Sequence, residues 1–460
     1  MIQVQDFQNR VVKRAGRLGQ DACVIMEAAI QSVDPYYGVA CTIQQTPAGI
    51  SIAGEMIADE QIDRVFLLGV GKASVPMAKA ALDLLDERIQ LAYVITKDPQ
   101  FLSESGYAGK LWVDLGGHPV PTENSLKSTK GMLAALPQLS ERDLVLVMIS
   151  GGGSALFTDP MGDISLEDLQ ILTEIMLKSG AQIQEVNTIR KHIDGVKGGR
   201  LAERLFPARI HALILSDVVG DPLDMIASGP TVPDPTTFQD AWEILQKYDI
   251  LEQAPHSVRH LLAEGSSGNV PETLKPGDLA ERQVGNHLIG TNYIAARAAH
   301  EKALQLGYHS LILTTHLTGL TSDVAQFLSG ILKTEMAYQW PLPRPFCLIL
   351  GGETTVHVTG NGLGGRNQDL VMRMGPVLAD MENVLFISLA TDGEDGPTDA
   401  AGAASDALVY REASELLGMD LTASIKDSNA YAYLNNAAAL IKTGATGTNV
   451  NDLVLILGGY

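Results

Sequence analysis

Nowhere in this chain do apolar residues run on for the roughly 18 to 20 positions that a membrane-crossing helix needs. The opening residues, "MIQVQDFQNRVVKRAGRLG", are amphipathic and polar where a secretory signal would be apolar. A cytoplasmic location is the expectation. Cysteine is scarce too: Cys23, Cys41 and Cys347 are scattered and form no C-x-x-C pair. They indicate neither a disulfide framework nor a structural zinc site, and are expected to be buried thiols. Positive charge is in short supply, with 33 Lys and Arg against 54 Asp and Glu and a net charge of −21. That balance argues against nucleic acid and anionic membranes as partners, because both require neutralising basic surface. A basic cluster in so acidic a chain is therefore informative.

What the chain does have is length, 460 residues with 45% hydrophobic composition, enough for two or three domains with substantial cores. Short apolar runs alternate with glycine turns and helical patterns, as in "DRVFLLGVGKASVPMAKAALDLL", "RDLVLVMISGGGSALF" and "ARIHALILSDVVGDP". Runs of Leu, Ile and Val without polar alternation suit strands covered on both faces, the condition of a largely parallel sheet in an α/β fold. Chemistry is then expected in the loops that follow the strands. Leu262 to Gln283 is rich in Gly, Pro and Ser and lacks periodicity, so a domain break is expected near residue 275, giving domains 1–275 and 276–460.

The segment "VLVMISGGGSALF", Val145 to Phe157, runs a buried-strand pattern into Ser150, Gly151, Gly152, Gly153 and Ser154. Successive glycines let several N–H groups converge on one small anion, and a following helix adds the positive end of its dipole. A tight turn under close helix–sheet packing is an equal alternative for this stretch alone. "NTIRKHIDGVKGGRLAE" then concentrates Arg190, Lys191, His192, Lys197 and Arg200, with Asn187, Arg190, Lys191 and Asp194 near one helical face. A solvated face is the default for such a run. The nearby Gly195, Gly198 and Gly199 favour anion binding instead, because glycine weakens a helix that need only be soluble. Lys72 follows a G-x-G turn at the mouth of a helix, in a sequence that is neither a P-loop nor a dinucleotide fingerprint. It can supply a point charge to a carboxylate or a phosphoryl group. Two acidic loops, with Asp217, Asp221 and Asp224 in one and Asp392, Glu394, Asp395 and Asp399 in the other, suit a metal–nucleotide complex or plain turn chemistry. The one G-x-G-x-x-G, at Gly360, Gly362 and Gly365, lacks the acid that should end a following strand; its glycines free the backbone around Arg366 and Asn367.

Taken in order, "GVGKAS", "ISGGGSALF", "NTIRKHIDGVKGGRLAE", "LILSDVVGDPLDMIASGPTVPDPTTF", "GGETTVHVTGNGLGGRNQDLVM" and "TDGEDGPTDAAGA" resemble the glycerate 2-kinase family with a C-terminal MOFRL domain. The resemblance covers nearly the whole chain. It implies a larger N-terminal Rossmann-like, doubly wound α/β domain and a smaller C-terminal α/β domain holding the MOFRL region, about 345–455, with the active-site cleft between them. It also implies phosphorylation of D-glycerate, mostly on the 2-hydroxyl, with ATP and Mg²⁺ or another divalent cation. Small molecules, D-glycerate and ATP, are then the partners, and a homo-oligomer is left open.

By the family's pattern Lys72 matches the active-site lysine, and Arg366 lies in the motif facing it; Glu394 falls at a variable position outside the metal site. On this reading Lys72, Arg366 and Asp217 are catalytic. Ser150 to Ser154 with Asn187, Arg190, Lys191, Lys197 and Asn367 hold the glycerate carboxylate or ATP phosphates. Asp217 and Asp221 are the candidate metal ligands. Some relatives carry the label hydroxypyruvate reductase, so an NAD(P)H-dependent reductase and a non-catalytic sugar-acid binder are the rival classes. The incomplete dinucleotide fingerprint disfavours the first, and the coexistence of basic and acidic loops the second.

Overall fold

The computed structural model describes residues 2–278 and 283–459, so residues 279–282 of the expected joint lie outside the described residues. The chain forms two compact units. One consists of Pro35–Ser216 and Asp221–Ile289; the other gathers the N-terminal segment through Asp34, the short stretch Asp217–Gly220, and the chain from Gly290 onward. The break expected near residue 275 does not coincide with this division. Val284–Gly290 is still a strand of the first unit's sheet, and the first 34 residues pack with the C-terminal half.

After helix Pro35–Thr42 the first unit forms a small antiparallel meander of β1 (Ile43–Thr46), β2 (Gly49–Ile52) and β3 (Glu55–Ala58). Its main sheet contains β4 (Arg64–Val70), β5 (Ile89–Thr96), β6 (Leu111–Leu115), β7 (Asp143–Ile149), β8 (Arg209–Leu215) and β9 (Val284–Gly290), in the order β6-β5-β4-β7-β8-β9. The pairs β4/β5, β5/β6, β4/β7 and β7/β8 are all parallel. Every residue of β7 is buried, which is why the run Asp143–Ile149 shows no polar alternation. The chain starts in the middle at β4, works outward to β6, and returns to the other side of β4 with β7. Strand order therefore reverses between β4 and β7, the topological point at which ligands bind in open α/β sheets.

Segments that follow β7 and β8 together build a helical layer. Leu169, Leu172 and Met176 of helix Leu166–Ser179 pack with Val186, Ile189 and Ile193 and with Phe238, Ala241 and Leu245. This core fixes helix Ile183–His192, and with it the basic segment.

The second unit holds β10 (His309–Leu317), β11 (Phe346–Gly352), β12 (Val384–Ala390), β13 (Gly402–Ser405), β14 (Leu440–Ile441) and β15 (Asp452–Gly458), in the order β10-β11-β15-β12-β13-β14. Only β10/β11 is parallel; β15 lies antiparallel between β11 and β12. The expected largely parallel sheet therefore holds for the first unit and is corrected for the second. An apolar run marks a strand as central, and β15 is wholly buried, but burial carries no direction. Helix Arg17–Gln31 buries Cys23, Ile25, Met26 and Ile30 in this unit. Arg14 anchors the segment through Asp406 at 2.6 Å and Glu412 at 2.7 Å. Cys23 and Cys347 are buried thiols, whereas Cys41 is exposed, against expectation. No helix among the described residues is long and apolar enough to cross a membrane.

Candidate active site

The turns after β4 and β7 are tied together at the point where strand order reverses. The Lys72 N–H donates to the Gly151 carbonyl at 3.0 Å, the Ala73 N–H to Ser150 Oγ at 3.0 Å, and the Ser150 N–H to the Val70 carbonyl at 3.0 Å. Gly71, at φ +123°, makes this approach possible, because a Cβ there would overlap Ser150. These bonds consume the donors of Lys72, Ala73 and Ser150. The next four N–H groups, of Gly151, Gly152, Gly153 and Ser154, have no acceptor among the described residues. Consecutive unpaired donors at the end of a buried strand form an anion-binding concavity. Lys72 is half-buried beside it, with no carboxylate partner among the described residues.

His118, in the loop after β6, was not singled out from sequence. Its ring lies under Gly152, where an added Cβ would come within 2.9 Å of it. Partial burial, then the charges of Lys72 and Lys97, lower its pKa to about 4, although part of the ring stays open to solvent. Two lysines and a neutral imidazole thus gather at the ends of β4, β5 and β6. The signal in the sequence was "GGHPVP" after a strand-like run, another glycine turn ending a strand.

Backbone strain marks the facing loop. Ala227 and Ser228 have φ of +51° and +61° without being glycine, and a Cβ on Gly153 would come within 2.6 Å of Ala227 Cβ. Such conformations cost about 1–3 kcal/mol each and cluster at functional sites. Ser228 Oγ bonds with Ser154 Oγ at 2.9 Å and donates to Asn187 Oδ1 at 3.3 Å, so Asn187 supports the turn through two serines.

The basic residues of the 190s separate into two kinds. Lys191 is buried, with its ammonium on Asp224 at 2.9 Å and Asp234 at 3.2 Å. Lys197 is buried on Asp194 at 2.6 Å and the Phe157 carbonyl at 2.8 Å; burial lowers its pKa against the pull of Asp194. Both ammonium groups are committed to internal partners, so the anion-binding set narrows around Arg190. The Arg190 guanidinium has no hydrogen bond or ion pair among the described residues, and burial lowers its pKa with Asp194 opposing. It lines a cavity of about 30 Å³.

In the second unit, Arg366 opens helix Arg366–Leu378. It grips Asp452 through Nε at 2.6 Å and Nη2 at 3.0 Å, and Nη1 meets Glu353 at 2.8 Å. Burial raises the Asp452 carboxyl to about 7 against the opposing charge of Arg366. Asn451 donates to Glu353 at 3.1 Å and to the Asp217 carbonyl at 2.7 Å, which brings the backbone of Asp217 into this cluster. The start of the helix is already filled by an anion. Asp395 accepts from the N–H groups of Asn367 at 3.1 Å and Gln368 at 2.9 Å, and a Cβ on Gly365 would overlap it. Asn367 donates to Asp395 and accepts from Ser388 at 2.6 Å, so its amide serves the fold. No group of three or more His, Cys, Asp or Glu suited to a metal occurs among the described residues.

Two family models match the chain: residues 21–263 fit a domain of unknown function, DUF4147, and residues 346–452 fit the MOFRL family. The D-glycerate 2-kinase of Thermotoga maritima is 43% identical over 401 residues, covering 87% of this chain and 92% of that protein. The chain belongs to the glycerate kinase family. The glycerate 2-kinase of Pyrococcus horikoshii is 42% identical, with 93% of this chain and 94% of that protein covered. A relative in Agrobacterium vitis, 36% identical over 95% of this chain and 93% of its own length, is named a putative hydroxypyruvate reductase. The crystal structure of a glycerate kinase from Thermotoga maritima matches with a TM-score of 0.82 at 40% identity, covering 95% of this chain and 99% of that one. Lys72, the glycine turn and the Arg190 cavity all lie within the residues that match the first family model, and Arg366 lies within the MOFRL match.

Proposed function

We propose that the protein phosphorylates D-glycerate on its 2-hydroxyl at the expense of ATP, in the cytoplasm. The observation that carries this reading is the set of four unpaired N–H groups at the strand reversal, beside Lys72. Phosphoryl transfer asks for alignment and charge stabilisation more than for covalent chemistry. The glycine turn supplies preorganised donors for phosphate oxygens, and Lys72 a point charge for the moving group. Arg366, held in one orientation by Asp452, is the second candidate for charge stabilisation. Asp217 accepts the hydroxyl proton or supports the metal–nucleotide complex.

Mg²⁺ would be delivered with the nucleotide. That ion takes one or two carboxylates and completes its shell with phosphate oxygens and water; Asp217 and Asp221 would supply the carboxylates. When bound, it would neutralise charge on the phosphates.

An assay with D-glycerate and Mg-ATP, with phosphorus NMR of the product, should show ATP-dependent 2-phosphoglycerate. A parallel assay with NADH and hydroxypyruvate should show no oxidation of NADH. Reduction without phosphorylation would replace this reading with that of the reductase.

A further inference from the structure

We propose that the Arg190 cavity takes the carboxylate of the acid substrate, and that Thr173 in its wall restricts the reaction to acids whose reacting hydroxyl sits on the carbon next to the carboxylate. The identity of the acid rests on the kinase reading above; the anion-binding role of the cavity does not.

Three observations converge on a carboxylate. The first is charge. The cavity is lined by Arg190, Lys197 and Asp194, and Asp194 is committed to Lys197 at 2.6 Å and to the Val196 N–H at 3.0 Å. One positive charge is left over, on a guanidinium without a hydrogen-bond acceptor among the described residues. A largely buried, unpaired charge is costly, and a monoanion with two oxygens matches the planar fork that carries it. The second is size. The cavity is small, about 30 Å³, which favours a small planar anion such as a carboxylate over a bulkier tetrahedral phosphoryl group. The third is position. Ser154 lines the cavity and also ends the glycine turn with the unpaired N–H groups. An acid anchored by its carboxylate would then have its next carbon beside that turn, where the kinase reading puts the phosphate.

The same geometry sets the reach. Leu172 and Thr173 close the cavity from helix Leu166–Ser179. Leu172 is locked in the helical core, and the Thr173 hydroxyl donates to the Leu169 carbonyl at 2.8 Å, which holds its side chain in place. Moving the hydroxyl one carbon further from the carboxylate would require an extra methylene where the wall stands.

The test uses the full chain and two substitutions. Calorimetry should show D-glycerate binding to the wild-type protein and at least about tenfold weaker binding to Arg190→Met, with the affinity for a non-hydrolysable ATP analogue unchanged. Thr173→Ala should raise kcat/KM for 3,4-dihydroxybutanoate relative to D-glycerate by about tenfold, the scale of one methylene in a fitted pocket. Thr173→Val, which keeps the bulk, should leave that ratio where it is. An Arg190→Met protein that turns over glycerate with an unchanged KM, or that loses the nucleotide instead, overturns the carboxylate assignment and leaves the kinase reading intact. A wild-type protein that binds glycerate through Arg190 but consumes no ATP overturns the kinase reading alone. An unchanged ratio in Thr173→Ala overturns the restriction on chain length.

Discussion

The backbone N–H of Lys72 donates to the carbonyl of Gly151 at 3.0 Å, joining the turns at the ends of two adjacent parallel strands. The bond belongs to the main chain and survives any change of the Lys72 side chain. Lys72→Ala should therefore keep the wild-type melting temperature while losing roughly 2.7 to 4 kcal/mol of transition-state stabilisation, the scale of one preorganised donor. Steady-state kinetics beside a thermal melt checks both halves. Normal turnover in the variant would remove the ammonium from the reaction.

Gly71 stands at the same junction with φ +123°, and a Cβ there would overlap Ser150. Gly71→Ala should force the two turns apart, lowering both the melting temperature and turnover. Ser150→Ala removes only the acceptor for the Ala73 N–H, for which a loss of about 1–3 kcal/mol is the scale of one buried unsatisfied donor. Chemical denaturation of the two variants should rank Gly71→Ala as the more damaging.

The His118 imidazole offers a probe of the site by proton NMR. Its pKa should lie below 6.5, and Lys72→Met should raise it by removing a neighbouring positive charge. A His whose folded pKa is depressed binds its proton less readily than the unfolded chain does. Its contribution therefore makes stability fall as pH drops from about 6.5 toward about 4. A His118 titration insensitive to Lys72→Met would separate the two groups.

Arg366 does structural work as well as any catalytic work. Arg366→Met leaves the Asp452 carboxyl buried without its fork, and should cost about 3–5 kcal/mol. Asp452 has a folded pKa raised to about 7, so its contribution to stability is present below the unfolded value and lost as pH rises through about 7. The variant's deficit should accordingly shrink as pH is lowered from 8 to 5, and adding Asp452→Asn should recover much of it. Urea titrations at the two pH values measure this. Arg366→Lys, which keeps charge but not the two-pronged grip, should lose turnover with a smaller loss of stability.

If Asp217 or Asp221 supports the metal–nucleotide complex, Asp217→Asn and Asp221→Asn should each raise the Mg²⁺ concentration for half-maximal activity several-fold. A metal titration of the two variants decides it, and unchanged curves would return both residues to turn chemistry.

Legibility from sequence followed the range of the interactions. The strand and turn around Ser150 could be read because an unbroken apolar run and three glycines are local properties. The fate of the basic segment could not, since Lys191 is matched by Asp234, 43 positions along the chain, and that pairing exists only once the helical layer has packed. For Arg366 the reverse holds. Its motif stood out, yet Asp452, the carboxylate that holds its fork, lies 86 positions further along the chain. The Asp395 cap likewise looked like one of several loop acids until the Gly365 approach gave it a partner. Strand direction in the second sheet was hidden for a related reason, because hydrophobicity reports burial and not polarity of the chain.

The N-terminal segment that packs with the C-terminal half limits how the protein can be divided. A fragment beginning at residue 276 would lack Arg14, leaving Asp406 and Glu412 without their guanidinium, and would lack helix Arg17–Gln31, which fills part of that core. Domain shuffling at the apparent seam would thus produce a solvent-exposed wound on one piece and a dangling, sticky tail on the other. Recombination that preserves folding should instead carry the two ends of the polypeptide as a single inherited package, with the intervening segment exchanged as an insert.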